Sequence, residues 1–104
     1  MLLITTNQEH TERVRLTLEH LLHCMATHCG TVPVHEVFKG QTVWKGDVEA
    51  FALEGHPKAT KAYGWSEGQG DKERFFAVLE LPPVKSALDA VRASIVADAK
   101  QRRK

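Results

Sequence analysis

Val14, Leu18, Leu21, Leu22, Met25 and Cys29 recur at steps of three and four, and at about 100° per residue they fall on one stripe of a helix. Glu9, Glu12, Arg13, Glu19 and His23 lie away from that stripe. Thr6 and Asn7 suit an N-cap, and Glu9 follows Thr6 by three, as in a capping box. Gly30 offers the left-handed stop and Pro33 prevents continuation. A helix with one apolar stripe is stable only against a surface it can cover, so the rest of the chain has to supply one.

That surface reads as a sheet. Residues 48–53, 60–66 and 74–81 are rich in β-branched and aromatic residues and are separated by Glu54-Gly55-His56-Pro57 and by Glu67-Gly68-Gln69-Gly70-Asp71. Short connections between consecutive strands imply antiparallel neighbours. Residues 2–5 are a short strand or a plain lead-in. Residues 32–45 read as an irregular connection holding one hairpin, with Val34 to Phe38 and Thr42 to Trp44 on either side of Lys39-Gly40, and Lys45-Gly46-Asp47 as a further turn. Pro82-Pro83 ends the sheet. Ser86 with Asp89 then opens a second helix, whose stripe is Leu88, Val91, Ile95 and Ala99, with Val84 ahead of it as a staple. The predicted fold class is α+β: two layers, helix–three antiparallel strands–helix, with both helices on one face of the sheet.

A chain of 104 residues fits one domain, taken here as 1–99, with 100–104 as a basic C-terminal tail. At 42% apolar and 26% charged it can bury a core without a metal or disulfide. The two cysteines, Cys24 and Cys29, suit reduced thiols. No run approaches the roughly 18 apolar residues of a membrane span, and Met1 to Thr6 is too short for a signal peptide. The expectation is a cytoplasmic protein with no membrane partner.

Three groups of residues are candidates for function. His20, Cys24 and His28 stand at i, i+4 and i+8, so on a helix they follow one ridge, and imidazole with thiolate suits zinc. The favoured alternative makes the histidines solvated and the cysteines core or boundary residues, with no cofactor. Second, Phe51, Tyr63, Trp65 and one of Phe75 or Phe76 can share a sheet face, leaving Val48, Ala50, Ala52, Ala62 and Gly64 opposite. If the helices cover the small residues, the aromatic face is open to bases or to another protein. In the reverse register the aromatics are the core. Third, Lys58 and Lys61 with Arg102, Arg103 and Lys104 give two basic features able to touch phosphate.

Phosphate-binding glycine loops and nucleophile elbows are absent from the sequence, so an enzyme is not expected. The element order is similar to that of double-stranded RNA-binding domains, which grip phosphates through a lysine cluster opening the second helix. Here that stretch is Val84-Lys85-Ser86-Ala87-Leu88-Asp89, with one lysine and an acid, so the likeness is one of architecture. With a net charge of +1, from 14 basic and 13 acidic residues, the leading expectation is a small non-catalytic binding module that engages a protein partner or itself. A nucleic-acid-binding domain using the basic loop and tail comes second, and a zinc protein third.

Overall fold

The computed structural model describes residues 6–68 and 70–102. In chain order they form helix α1 (Thr6–Leu22), strands β1 (Met25–Phe38), β2 (Gln41–Glu54) and β3 (Lys61–Glu67), strand β4 (Arg74–Leu79) and helix α2 (Ala87–Arg102). A single turn of 3-10 helix, Gly70–Lys72, precedes β4. The strands make one antiparallel sheet in the order β1-β2-β3-β4. The α+β class holds, with a fourth strand, β1, that spans the end of the expected first helix and the first part of the expected irregular connection.

The extra strand comes from residues assigned above to α1. The helix stops at Leu22 because His23 takes the left-handed conformation (φ 54°), and the chain is extended from Met25 onward. Met25 and Cys29 continue the helical spacing, but β2 offers the backbone of 25–38 a full ladder of partners, from Met25 opposite Glu54 to Phe38 opposite Gln41. Tertiary pairing overrides local periodicity here. Two side chains fix the corner: Arg15 bonds Glu19 at 2.9 Å, and Glu19 accepts the Ala26 N–H at 2.8 Å.

The two helices lie on opposite faces of the sheet, not on one. Val14 and Leu18 of α1 pack with Ala26, Phe51, Leu53 and Ala62. Ala87, Ala90 and Val91 of α2 pack with Val34, Val48, Ala50, Tyr63 and Trp65. In the ladder Phe51 faces Ala62, while Ala50 faces Tyr63, so the two sets occupy alternate positions and hence opposite sides. Gly64 shows how close α1 comes: a Cβ there would sit 2.9 Å from Val14 Cγ1 and 3.2 Å from Leu18 Cδ1.

The expected cap of α2 is present. Asp89 N–H donates to Ser86 Oγ at 3.2 Å and Lys85 N–H to the Asp89 carboxylate at 3.0 Å. Val84 is buried beside it. α2 continues to Arg102, so residues 100–102 of the expected basic tail are helical. The Thr6 side chain and residues 2–5, where a lead-in strand was expected, lie outside the described residues, as do Arg103 and Lys104. Among the described residues no helix is long and apolar enough to cross a membrane.

The β1–β2 hairpin dominates the shape. At about 3.3 Å per residue a strand of 14 residues runs roughly 46 Å, which matches the longest extent of the molecule, 46 Å. Only residues 49–52 of β2 pair with β3, so the far half of the hairpin reaches past the other strands. α2 follows it on one side.

Candidate functional site

At the hairpin tip Phe38 pairs with Gln41 across a two-residue turn. Lys39 (φ 53°) and Gly40 (φ 77°) both take positive φ, the type I′ geometry that matches the twist of a hairpin. Gly is at home there. Lysine meets the Cβ penalty of the left-handed region. Phe38 is 64% exposed, and the Lys39 ammonium lies 5.4 Å from its ring centroid.

Between the tip and α2 runs a groove of about 380 Å³, walled by Val37, Phe38 and Val43 from the hairpin and by Ile95 and Val96 from the helix. At one end Arg92 of α2 grips Glu36 of β1 through both carboxylate oxygens, with Nη2 to Oε1 at 3.3 Å. The guanidinium holds the Glu36 carboxyl below the usual carboxylate range. Val37, Phe38, Val43 and Val96 are four of the eight large apolar side chains exposed among the described residues, so exposed apolar surface is concentrated here.

Val43 and Ile95 also wall a neighbouring hollow of about 300 Å³ with a different character. Its lining includes Trp44, Phe76, Glu67, Asp98 and Arg74. The Glu67 carboxylate accepts both indole N–H groups, from Trp44 at 2.8 Å and from Trp65 at 3.2 Å. Trp44 meets Trp65 edge-on, with centroids 5.8 Å apart, and Phe76 stacks on Trp65 at 5.3 Å. The Arg74 guanidinium is 5.3 Å from the Phe76 centroid. The groove at the tip is thus mostly apolar, and the hollow beside it is aromatic and charged.

The residues singled out from sequence are distributed elsewhere. Tyr63 and Trp65, 3% and 1% exposed, are core beneath α2, and Phe51 is core beneath α1 on the other face. There is no open aromatic platform among the described residues, because each sheet face has its helix. The Tyr63 hydroxyl donates to Glu80 at 2.5 Å, and burial followed by that carboxylate pushes the phenol up to about 12. Lys58 and Lys61 flank the β2–β3 turn, which His56 organises by accepting the Lys58 and Ala59 N–H groups on Nδ1 at 3.1 and 3.2 Å. The Lys61 ammonium lies 5.6 Å from the Tyr63 ring. Arg102 ends α2, whose preceding turn runs beside Trp44 and Glu67 at the other end of the sheet.

The ridge expected of His20, Cys24 and His28 does not form, since α1 ends before Cys24 and His28 belongs to β1. His28 Nε2 lies 2.7 Å from a carboxylate oxygen of the buried Glu49, which also accepts from Thr31 Oγ1 at 2.6 Å. Burial pushes the Cys24 thiol up, which lowers its thiolate fraction. Among the described residues no group of three or more His, Cys, Asp or Glu side chains is placed to hold a metal.

One constellation was not visible in the sequence. Ser66 Oγ lies 2.6 Å from His10 Nε2 and donates to Glu73 at 2.7 Å. An ionised carboxylate only accepts, so with Ser66 donating to Glu73 the remaining partner, His10, donates to Ser66 in the tautomer that carries its proton on Nε2. With Arg13 3.5 Å from Glu73, the cluster ties α1 to the β3–β4 hairpin. No protein-family model matches this chain, and no curated protein and no solved structure is significantly similar to it.

Proposed function

We propose that this domain is a non-catalytic protein-binding module, and that its contact surface is the groove between the hairpin tip and α2. The observation that carries the reading is the gathering of Val37, Phe38, Val43 and Val96 around one concave space. Apolar side chains exposed singly need no explanation, whereas a cluster rimmed by charge is the usual mark of a protein contact. The Glu36–Arg92 pair supplies that rim and neutralises itself, which leaves the groove selective for apolar side chains.

The test is selection of peptides from a random display library against the immobilised domain. Val43→Glu and Val96→Glu put a carboxylate into the groove at exposed positions, where substitutions shift stability by only about 0.5 kcal/mol. Selected peptides are expected to lose at least about tenfold in affinity to either variant, as hot-spot positions do. A selection that returns only peptides indifferent to both substitutions defeats the reading.

A further inference from the structure

We infer that the β2–β3 turn is a proton-operated catch, closed by a neutral His56 and released when its ring takes a second proton. The turn shares no residue with the groove at the hairpin tip. The chain leaves β2 through Gly55 (φ 92°), followed by His56 and Pro57. The base of the turn is pinned by backbone, with the Leu53 N–H donating to the Thr60 carbonyl at 2.9 Å. Its tip is held by one side-chain atom: His56 Nδ1 accepts from the N–H groups of both Lys58 and Ala59, at 3.1 and 3.2 Å. A ring nitrogen accepts only without a proton, so the closed turn requires the neutral tautomer that carries its proton on Nε2. An imidazolium has a proton on each nitrogen and no acceptor. The closed turn and a charged His56 therefore exclude each other, and histidine is the side chain that changes charge between about pH 5 and 8.

The catch holds part of the core in place. Ala59 is buried with Phe51, Leu53 and Ala62 beneath α1, while Pro57, Lys58 and Thr60 beside it are exposed. His56 is half-buried, so protons from solvent reach its ring. The titratable groups on the surrounding elements are Glu54 of β2, Lys58 in the turn, Lys61 of β3, Glu80 beyond β4, and His23 and Cys24 in the corner that leads into β1. The Glu80 carboxylate is taken by the Tyr63 hydroxyl. Lys58 and Lys61 oppose a further positive charge at the turn and Glu54 favours one. The local charge is nearly balanced, which leaves the two lost hydrogen bonds to decide.

Backbone nitrogen relaxation of the full chain at about pH 7.5 and about pH 5, with the His56 ring followed by its carbon-bound protons, tests this. At the higher pH Lys58 and Ala59 are expected to be as rigid as the strands, with order parameters of about 0.85, and at the lower pH to fall below about 0.6 as the ring is protonated. Their amide protons are expected to move upfield together, along the ring's own titration curve. His56→Asn supplies a side-chain oxygen that accepts nearby N–H groups without titrating, and is expected to keep the turn ordered at both pH values. His56→Ala leaves no acceptor and is expected to be loose at both. A turn as ordered at the lower pH as at the higher overturns the inference, whether or not the ring has taken its proton. So does a His56→Asn turn that loosens on acidification as the wild type does, which assigns the change to Glu54, His23 or another group. A His56→Ala turn rigid at both pH values overturns it as well.

Discussion

Gly64 sits where α1 comes closest to the sheet, and its missing side chain sets that distance. A methyl group there meets Val14 and Leu18 inside van der Waals contact, so Gly64→Ala forces those side chains or the helix that carries them to shift. The expected cost is about 1–3 kcal/mol, the usual range for overpacking a core, and urea denaturation will measure it. Tyr63 gives a second prediction at this scale. It is the only tyrosine in the chain, so absorbance at 295 nm reports it alone. Its phenol is raised to about 12 by burial and by Glu80. The neutral form is therefore favoured in the folded state. That contribution is complete below pH 10, the ordinary tyrosine value, and is lost as pH rises from about 10 to about 12. Tyrosinate absorbance in the native protein is expected only toward the upper end of that window, and at about 10 in denaturant. A native titration near 10 removes the buried hydroxyl–carboxylate contact. The side chains also show what was legible in advance. Of the small residues set opposite the aromatics, Ala62 and Gly64 lie under α1, whereas Val48 and Ala50 lie under α2 with Tyr63 and Trp65. Phe51 was grouped with Tyr63 and Trp65 and belongs to the other side. Alternation within a strand is written in the residues, but the offset between strands is set by turn geometry, and a shift of one position exchanges the faces.

The elements differ in how much of their boundary the residues declare. α2 announces itself through Ser86 and Asp89, which make the expected cap. α1 does not announce its end. Its left-handed stop falls on His23, a residue type enriched at positive φ among non-glycine residues but without glycine's freedom there. His23→Gly is therefore expected to stabilise the protein by roughly 0.5–1 kcal/mol, since glycine adopts that conformation without a Cβ clash. A fall in thermal midpoint on this substitution means that the His23 side chain makes a contact worth more than the relief. The long hairpin was hidden for a related reason. Lys39-Gly40 was recognised as its turn, but Gly46 also reads as a turn and is in fact mid-strand. There the Trp44 ring lies across it, with the ring carbon Cη2 3.0 Å from where a Cβ would be. A glycine inside a strand often marks such a close approach rather than a reversal.

At the scale of the whole molecule the sheet is covered unevenly. Residues 49–52 of β2 have strands on both sides and helices on both faces, while the hairpin tip has only its partner strand and α2. Local stability follows buried contact. Amides of residues 37–43 are accordingly expected to exchange with solvent far faster than those of residues 49–52, as hydrogen exchange followed by NMR will show. Equal protection along the hairpin contradicts this account of its coverage. The candidate site occupies the less covered end, which explains why it was not foreseen. Its residues come from β1, β2 and α2, and only the three-dimensional path of strands longer than the sequence suggests brings them together.

The meander has one more consequence. Because each strand lies next to the one made just before it, the sheet can assemble in the order of synthesis, with no strand waiting for a distant partner. α1 is already present to shield its own side, but the cover for Trp65, Tyr63 and Val48 is made last. A nascent chain halted before Ala87 would carry a finished sheet with one oily side bare to solvent or to a chaperone.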